Sequence, residues 1–192
     1  LPQAHAAAAA LLAYAEHTQG RALTHVHGLH VERSGELIEL PATTRRNLEL
    51  VQTLRGEDAP TLFSLLDTCM TGMGSRLLKS WLLAPARERT EASARLAAIA
   101  ELQQGSLWQK LRTQLKGTSD VERISARLAL GQVRPRELVA LRQTLQKTEL
   151  LTLIQPAQSE LLARIAADLV PPAEALELLQ AALLDEPAAL IR

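Results

Sequence analysis

Two glycines and a serine, Gly72, Gly74 and Ser75, stand at the entrance to an apolar stretch typical of a helix. Backbone amides at such an entrance can bind a phosphate. A nucleotide-binding phosphate loop also needs a Gly-Lys pair, and none occurs in the chain. A dinucleotide-binding fingerprint fails because Leu77 stands where its third glycine belongs. The spacing therefore favours a closely packed helix entrance over an anion site.

Three histidines, His25, His27 and His30, form an H-x-H-x-x-H pattern. On a strand, the first two would share a face, as paired zinc ligands do. Glu32 is the only carboxylate close to them in sequence, and no cysteine or fourth histidine is near. The pattern therefore favours surface histidines on a hairpin, and we predict no metal site.

Nucleophiles and acid–base pairs lack the partners that catalysis requires. Asp67 is the nearest sequence partner of Cys69 and should raise the pKa of its thiol, so we expect a half-buried structural cysteine. Ser75 lacks the G-x-S-x-G elbow of a hydrolase. The neighbouring carboxylates Glu57 and Asp58 lie in predicted loops, where nothing sets a separation suited to acid–base chemistry. We predict no catalytic residue, no bound cofactor and no enzyme activity in this chain.

Arginines cluster in the second half of the chain and leave two interpretations open. The candidates for contact with a DNA backbone are Arg123, Arg127, Arg134 and Arg136. The same side chains could instead pair with acids such as Glu122 and Glu137 on a solvated surface. The formal net charge of the chain is zero, which favours the acid pairs, because DNA-binding domains are usually basic.

The composition indicates a helical fold. Hydrophobic residues make up 47% of the 192 residues and aromatic residues only 2%, so the core must be aliphatic. Leucine and alanine, both good helix formers, dominate over β-branched residues. The single cysteine excludes an internal disulfide and suggests a reducing, cytoplasmic location. No apolar run approaches a membrane span.

The predicted fold class is all-α, a multihelical array with a small N-terminal β-hairpin. The hairpin is expected around Ser34-Gly35, after a helix over residues 3–19. A helix entered through Thr43 or Thr44 follows, and Thr90 is expected to cap a helix that Gly105 ends. Residues 119–122, Ser-Asp-Val-Glu, predict a capping box, and Pro135 predicts the start of the next helix. A soft division is expected near residues 115–119.

Three sequence blocks resemble the core, or lever, domain of the MutS family of DNA mismatch-repair proteins. They are TTRRNLEL (43–50), TLFSLLDTCMTGMGSRLLKSWLLAP (61–85) and SDVERISARLALGQVRPRELVALRQTL (119–145). The resemblance implies that the T-x-M-G-x-R-x-L-K-x-W-L pattern is structural: Thr71 starts a helix and Gly74 permits close packing. The pattern residues that we single out are Thr71, Gly74, Arg76, Leu77, Leu78, Trp81 and Leu82, the last four as a buried face. Gly72 departs from the proline common in relatives, which should loosen the helix entrance.

The resemblance also implies a domain organisation. Residues 1–20 would be the end of the connector domain or a linker helix, and residues 21–192 the first segment of the core domain, truncated before the clamp insertion. The chain begins at Leu1 and ends at Arg192 within a helical pattern, which suggests a fragment. The Phe-x-Glu mismatch reader is absent, since the only phenylalanine, Phe63, precedes Ser64-Leu65. ATP and Mg²⁺ would belong to an ATPase domain elsewhere in the parent protein.

The function implied by the resemblance is mechanical: the core links the ATPase state to the DNA clamp. The implied partners are the connector, clamp and ATPase domains, a second subunit and mismatched duplex DNA, in the bacterial cytoplasm. Direct DNA-backbone binding and a helical protein-interaction module remain the alternatives. Without the rest of the core, we expect exposed Leu and Ile side chains near the C-terminal helices and self-association through them.

Overall fold

The computed structural model describes residues 2–20, 23, 26, 28, 35–147, 153–155 and 157–186. Backbone contacts divide the chain into two compact units, Leu1–Glu36 and Leu37–Arg192. The described residues form helices and no β-strand, so the predicted all-α class is confirmed. None of the described helices combines the length and apolar character needed to cross a membrane.

The first unit contains one long helix, α1, over Pro2–Gln19. The helix is rich in alanine, and it ends at Gly20, where a φ of 64° favours glycine. The Gly20 amide donates to Glu16 O at 2.9 Å and closes the last turn. Both the helix over residues 3–19 and its end at Gly20 were predicted correctly.

The predicted N-terminal hairpin is not supported, although part of it, with His25, His27 and His30, lies outside the described residues. The described part contains no strand. Leu37 instead forms an isolated antiparallel bridge with Ala86, and the amide of Ile38 donates to Pro85 O at 2.8 Å. The alternation of side chains did predict extended backbone. Its hydrogen-bond partner, however, comes from a distant segment of the second unit rather than from across a tight turn.

The second unit opens with three short helices, α2 over Ala42–Asn47, α3 over Leu62–Leu66 and α4 over Gly72–Leu83. The short helix predicted within residues 42–54 covers only its first part, because Glu49 adopts a φ of 46° and turns the chain back. The amides of Leu62 and Phe63 then donate to Glu49 O and Leu50 O, at 3.1 and 2.8 Å. This return places Leu50 in the core.

The remaining helices are α5 (Arg89–Gln103), α6 (Leu107–Leu115), α7 (Val121–Ala129), α8 (Pro135–Leu145), α9 (Glu160–Asp168) and α10 (Ala173–Ala182). A 3₁₀ turn with Gly105 at a φ of 58° separates α5 from α6, and Pro135 begins α8, as predicted. Thr90 is not a cap, because Glu88 precedes the first turn. Helix α5 packs on α9, and α8 packs on both α7 and α10.

The core of the described part is thin. Its buried hydrophobic residues are Leu50, Ala98, Ile124, Val139, Leu141, Ile154, Leu162 and Ala166. No large side chain among the described residues is fully buried. Since few apolar side chains are fully removed from water, the hydrogen bonds and ion pairs between helices also matter for their arrangement.

The predicted rows of buried leucines are only partly buried. Ile124 is buried, whereas Leu128 of the same row is exposed. Near the C-terminal helices, the exposed aliphatic side chains include Ile165, Leu169, Leu178 and Leu184. The expectation of exposed Leu and Ile side chains in this region is therefore confirmed, and their role in self-association stays a prediction.

The entrance to α4 shows why Gly74 is a glycine. Thr71 caps the helix, and its Oγ1 accepts from the Gly74 amide at 3.1 Å. A Cβ at Gly74 would lie 3.2 Å from that oxygen and 3.3 Å from the Cβ of Cys69. At Gly72, a Cβ would meet only Arg76 Nη1 and Asp120 Oδ2, at 3.7 and 3.8 Å. The helix start at Thr71 and the close approach at Gly74 were both predicted correctly.

Alanine substitutions at the two glycines should have opposite effects on stability. Gly72→Ala should leave the free energy of unfolding unchanged or raise it by up to about 1 kcal/mol, since alanine favours the helix. Gly74→Ala should lower it by about 1 kcal/mol, since the added methyl group crowds Thr71 and Cys69. Urea denaturation of both variants measures the difference. Equal changes at the two positions would contradict the close packing of Gly74.

Candidate functional site: polar joints between helices

An ion pair joins α4 to the start of α7. Arg76, in α4, donates from Nη1 to Asp120 Oδ2 at 2.7 Å and from Nη2 to Asp120 Oδ1 at 2.8 Å. Nη2 also donates to Glu122 Oε2 at 2.5 Å. The parallel pair of hydrogen bonds fixes both distance and orientation between residues 44 positions apart in sequence. We call Arg76, Asp120 and Glu122 the α4–α7 joint.

Asp120 serves α7 as well as α4. It is the N-cap of α7, and its Oδ1 accepts from the Arg123 amide at 3.3 Å. Hydrogen bonds from Arg76, together with that amide and nearby positive charge, lower the pKa of Asp120 to about 2 against the opposing effect of burial. The hydrogen bonds that Arg76 donates to Asp120 and Glu122 raise the pKa of its own guanidinium. Asp120 is therefore charged throughout the physiological range.

The predicted capping box at residues 119–122 is wrong in its assignments. Asp120 caps α7 in place of Ser119, and Glu122 turns to Arg76 instead of back to the cap. Ser119 joins α7 to α8: its amide donates to Thr144 Oγ1 at 3.0 Å, and its hydroxyl lies 3.1 Å from Ala140 O. A hydroxyl one residue before the true cap was thus free to reach a neighbouring helix.

A lysine from the end of α8 caps the end of α6. Lys147 Nζ donates to Gln114 O at 3.0 Å, to Lys116 O at 2.8 Å and to Thr118 Oγ1 at 3.3 Å. Carbonyls at a helix C-terminus have no partner within the helix, and a cation also complements the helix dipole. Residues 114–119 are therefore tied to α8, and the predicted soft division near residues 115–119 is not found; the unit boundary follows Glu36.

A glutamate from α5 caps the start of α9 in the same way. Glu101 accepts from the amides of Gln158 and Ser159, each at 2.7 Å. These backbone hydrogen bonds lower the pKa of Glu101 below its ordinary value. The side chain of Ser159 makes no capping bond to α9, so the cap comes from another helix. Arg112 of α6 likewise donates to Thr68 O at 2.7 Å and so connects α6 to the segment between α3 and α4.

The apolar face predicted for α4 is less buried than expected. Leu77 is 50% exposed and Trp81 is 38% exposed, while Leu78 and Leu82 are half-buried. The Trp81 ring is covered in part by Arg95 of α5, whose guanidinium carbon lies 3.6 Å from the ring centroid. The prediction of burial is wrong for Leu77 and Trp81, because the described helices leave that side of α4 largely uncovered.

Three of the four arginines predicted as DNA contacts, Arg127, Arg134 and Arg136, lie near the turn between α7 and α8, whereas Arg123 lies in the first turn of α7. Arg127 pairs with Glu137 at 2.5 Å, and the Arg134 amide donates to the same carboxylate at 2.9 Å. Arg123 lies 3.5 Å from Asp120 but is largely exposed, and Arg136 is exposed as well. The pairing with Glu137 was one of the two interpretations from sequence. A contact with DNA at this turn stays a prediction.

The groups with potential chemistry are engaged in local structure. Cys69 is exposed rather than half-buried, and desolvation together with Asp67 raises the pKa of its thiol, in the predicted direction. At the α4 entrance, the amide of Gly74 already bonds Thr71, and Arg76 is held by Asp120, so the residues there do not fit a nucleotide phosphate. Within the described residues, no group of three or more metal-binding side chains is found.

Sequence reasoning missed the one charged side chain that is buried among the described residues of the second unit. Arg142 of α8 is buried; its Nη1 donates to Leu183 O at 2.8 Å and its Nη2 to Asp185 Oδ1 at 2.5 Å. In the sequence it stands on α8 among apolar residues, at the spacing of the leucines Leu138 and Leu145. That position on the apolar stripe was the available signal that Arg142 differs from the surface arginines.

The fold and these joints define a helical structural module, in which charged side chains connect helices instead of converging on a substrate. The protein-family model of MutS domain III matches residues 43–192 of the chain. The chain therefore belongs to the MutS domain III family, a domain of DNA mismatch-repair proteins, as the resemblance indicated. Membership implies that the partners of this domain in the full-length protein are the other MutS domains and DNA.

Removing Arg76 should release the carboxyl of Asp120. In Arg76→Gln, the pKa of Asp120 should rise from about 2 towards its ordinary value of 3.8. A titration of the side-chain carboxyl carbon by NMR measures this shift. Glu101, which is held by separate backbone amides, is the internal control and should keep its pKa. An unchanged pKa of Asp120 would mean that the joint does not exist in solution.

The substitution Arg76→Gln should also make the free energy of unfolding less dependent on pH in the acid range. Because the folded-state pKa of Asp120 is lowered, the joint stabilises above pH 3.8 and loses its effect as pH falls towards 2. At pH 7, Arg76→Gln should therefore lower the free energy of unfolding by a small amount, since the pair is partly exposed and solvent screens it; urea denaturation at pH 7 and in acid measures the difference. The difference from the parent chain should shrink in acid.

Proposed function

We propose that this chain is a mechanical coupling module of a mismatch-repair protein and catalyses no reaction itself. In the full-length protein it would connect the nucleotide state of the ATPase domain to the grip of the clamp on DNA. ATP and Mg²⁺ would bind elsewhere in that protein, which we place in the bacterial cytoplasm. The connector, clamp and ATPase domains, a second subunit and mismatched duplex DNA are the proposed partners.

The observation that carries this proposal is the α4–α7 joint. Coupling between distant sites needs elements that move as units and have defined alternative arrangements. The two parallel hydrogen bonds between Arg76 and Asp120 fix α4 to the cap of α7, so a displacement of one helix is transmitted to the other. Further ties run through Ser119 and Lys147 to α8.

The test separates coupling from binding in the full-length MutS-family protein that carries this domain. Arg76→Gln should leave basal ATP hydrolysis and nucleotide-free binding of mismatched DNA within about twofold of the parent. The response of ATP hydrolysis to mismatched DNA should fall by about three- to tenfold, the range expected for a coupling energy near 1 kcal/mol. Steady-state hydrolysis with and without duplex measures both quantities.

Arg164→Gln is the matched control, since it removes one positive charge from an exposed position on α9. It should leave hydrolysis, binding and their coupling unchanged. Equal loss of basal hydrolysis and of its response to DNA in Arg76→Gln would point to general destabilisation. An unaltered response would exclude the α4–α7 joint as part of the coupling path.

Direct binding of a DNA backbone remains the second candidate, because Arg123, in the first turn of α7, and Arg136, in the first turn of α8, are exposed. Against it, the net charge of the chain is zero, and Arg127 is neutralised by Glu137. Exposed aliphatic side chains such as Leu178 and Leu184 instead support self-association, or docking on the rest of the core.

Sedimentation of the chain, alone and with a mismatched duplex at about 50 mM salt, distinguishes these candidates. The coupling proposal expects no complex with DNA, and the exposed aliphatic side chains predict self-association, which a monodisperse monomer would contradict. A complex that weakens steeply with salt would favour the second candidate. In that case, Arg123→Ala should reduce the slope of log affinity against log salt by about 1, whereas Arg164→Ala should not.

A further inference from the structure

A buried guanidinium of α8 holds the end of α10. Arg142 bonds the Leu183 carbonyl and the Asp185 carboxylate, and both acceptors lie just beyond the last residue of α10, Ala182. Among the described residues, Asp185 is the acid that pairs with Arg142. The guanidinium therefore supplies both a cap for the helix end and an ion pair to the segment that follows.

Apart from this contact, α10 is weakly attached. No residue of the helix is buried, and Leu178 points to solvent. Leu176 and Leu179 are only half-buried, and Pro172 at the N-cap provides no capping side chain. Because little apolar surface is covered when α10 lies on α8, the contacts of Arg142 weigh heavily in its position.

The two charges of the pair differ greatly in exposure. The side chain of Arg142 is 8% exposed, whereas that of Asp185 is 94% exposed. Pairing thus brings a hydrated carboxylate to a guanidinium that has lost most of its water. The attraction between such charges is largely offset by the cost of desolvation. If α10 moved away, water could reach both groups, so we expect the undocked arrangement to be a minor but populated state of the chain.

We propose that Arg142 and Asp185 form a latch that decides whether α10 docks on α8, with α10 as a movable element of the chain. The α4–α7 joint has two hydrogen bonds between one guanidinium and one carboxylate, whereas the latch has one carboxylate contact from an exposed segment. A carboxylate from elsewhere that paired better with Arg142 would shift α10 to the undocked arrangement. The latch concerns the docking of one helix and does not depend on the coupling function.

Hydrogen–deuterium exchange of the 192-residue chain tests the latch. In Asp185→Asn, the amides of α10 should exchange at least about tenfold faster, while those of α5 and α8 stay within about twofold of the parent. Glu186→Gln is the matched control, because it neutralises the adjacent exposed carboxylate, which does not contact Arg142. It should leave the exchange of α10 unchanged.

A second substitution tests whether the effect passes through the charge of Arg142. In the Asp185→Asn background, Arg142→Met removes the unpaired buried charge and should return the exchange of α10 towards that of the parent. The latch would be overturned if Asp185→Asn left α10 within about twofold of the parent, or if exchange rose equally in all helices. Failure of Arg142→Met to slow the exchange would overturn it as well.

Discussion

The bidentate pair between Arg76 and Asp120 is the interaction on which the arrangement of the second unit depends. It connects residues that are 44 positions apart and does so at the N-cap of α7, so one carboxylate both starts a helix and anchors it to another. Aromatic residues make up only 2% of the chain, and many of its leucines stay exposed, so the packing of large apolar side chains contributes less to this arrangement. Directional hydrogen bonds therefore help to set the distance and orientation between these helices.

The same device recurs at other helix ends. Lys147 caps α6 from α8, Glu101 caps α9 from α5, and Arg142 caps α10 from α8. Every helix leaves amides and carbonyls unpaired at its ends, and here a side chain of another helix often satisfies them. Moving one helix would remove the capping side chain of its neighbour. A displacement of one helix therefore destabilises the end of another. This property suits a domain of the MutS family, whose members act through several linked domains.

The joints differ in how firmly they hold. Arg76 reaches Asp120 through two hydrogen bonds and Glu122 through a third, whereas Arg142 has a single carboxylate partner from a segment open to solvent. A structure with both kinds of contact can keep part of its helices fixed while another part responds to a partner. Rigid and responsive regions within one small domain need no catalytic group.

The sequence by itself determined the helices, because their signals are local. Gly20, Gly105 and Pro135 mark helix ends or starts through their own backbone preferences, and the entrance at Thr71 and Gly74 follows from neighbouring residues. The three sequence blocks at residues 43–50, 61–85 and 119–145 also indicated the family, which the match over residues 43–192 confirms.

Only the tertiary structure decided which helices meet and which faces are covered. Ser119 was predicted as a cap because the pattern around it is local, yet its partners Ala140 and Thr144 lie on α8. The extended segment at Leu37 found a bridge at Ala86 instead of a hairpin turn, and Leu77 stays exposed because nothing in the described part covers it. Contacts between residues about 20 to 60 positions apart produce no periodic pattern in a single sequence. The spacing of side chains around each partner reflects only the helix or loop in which that partner lies.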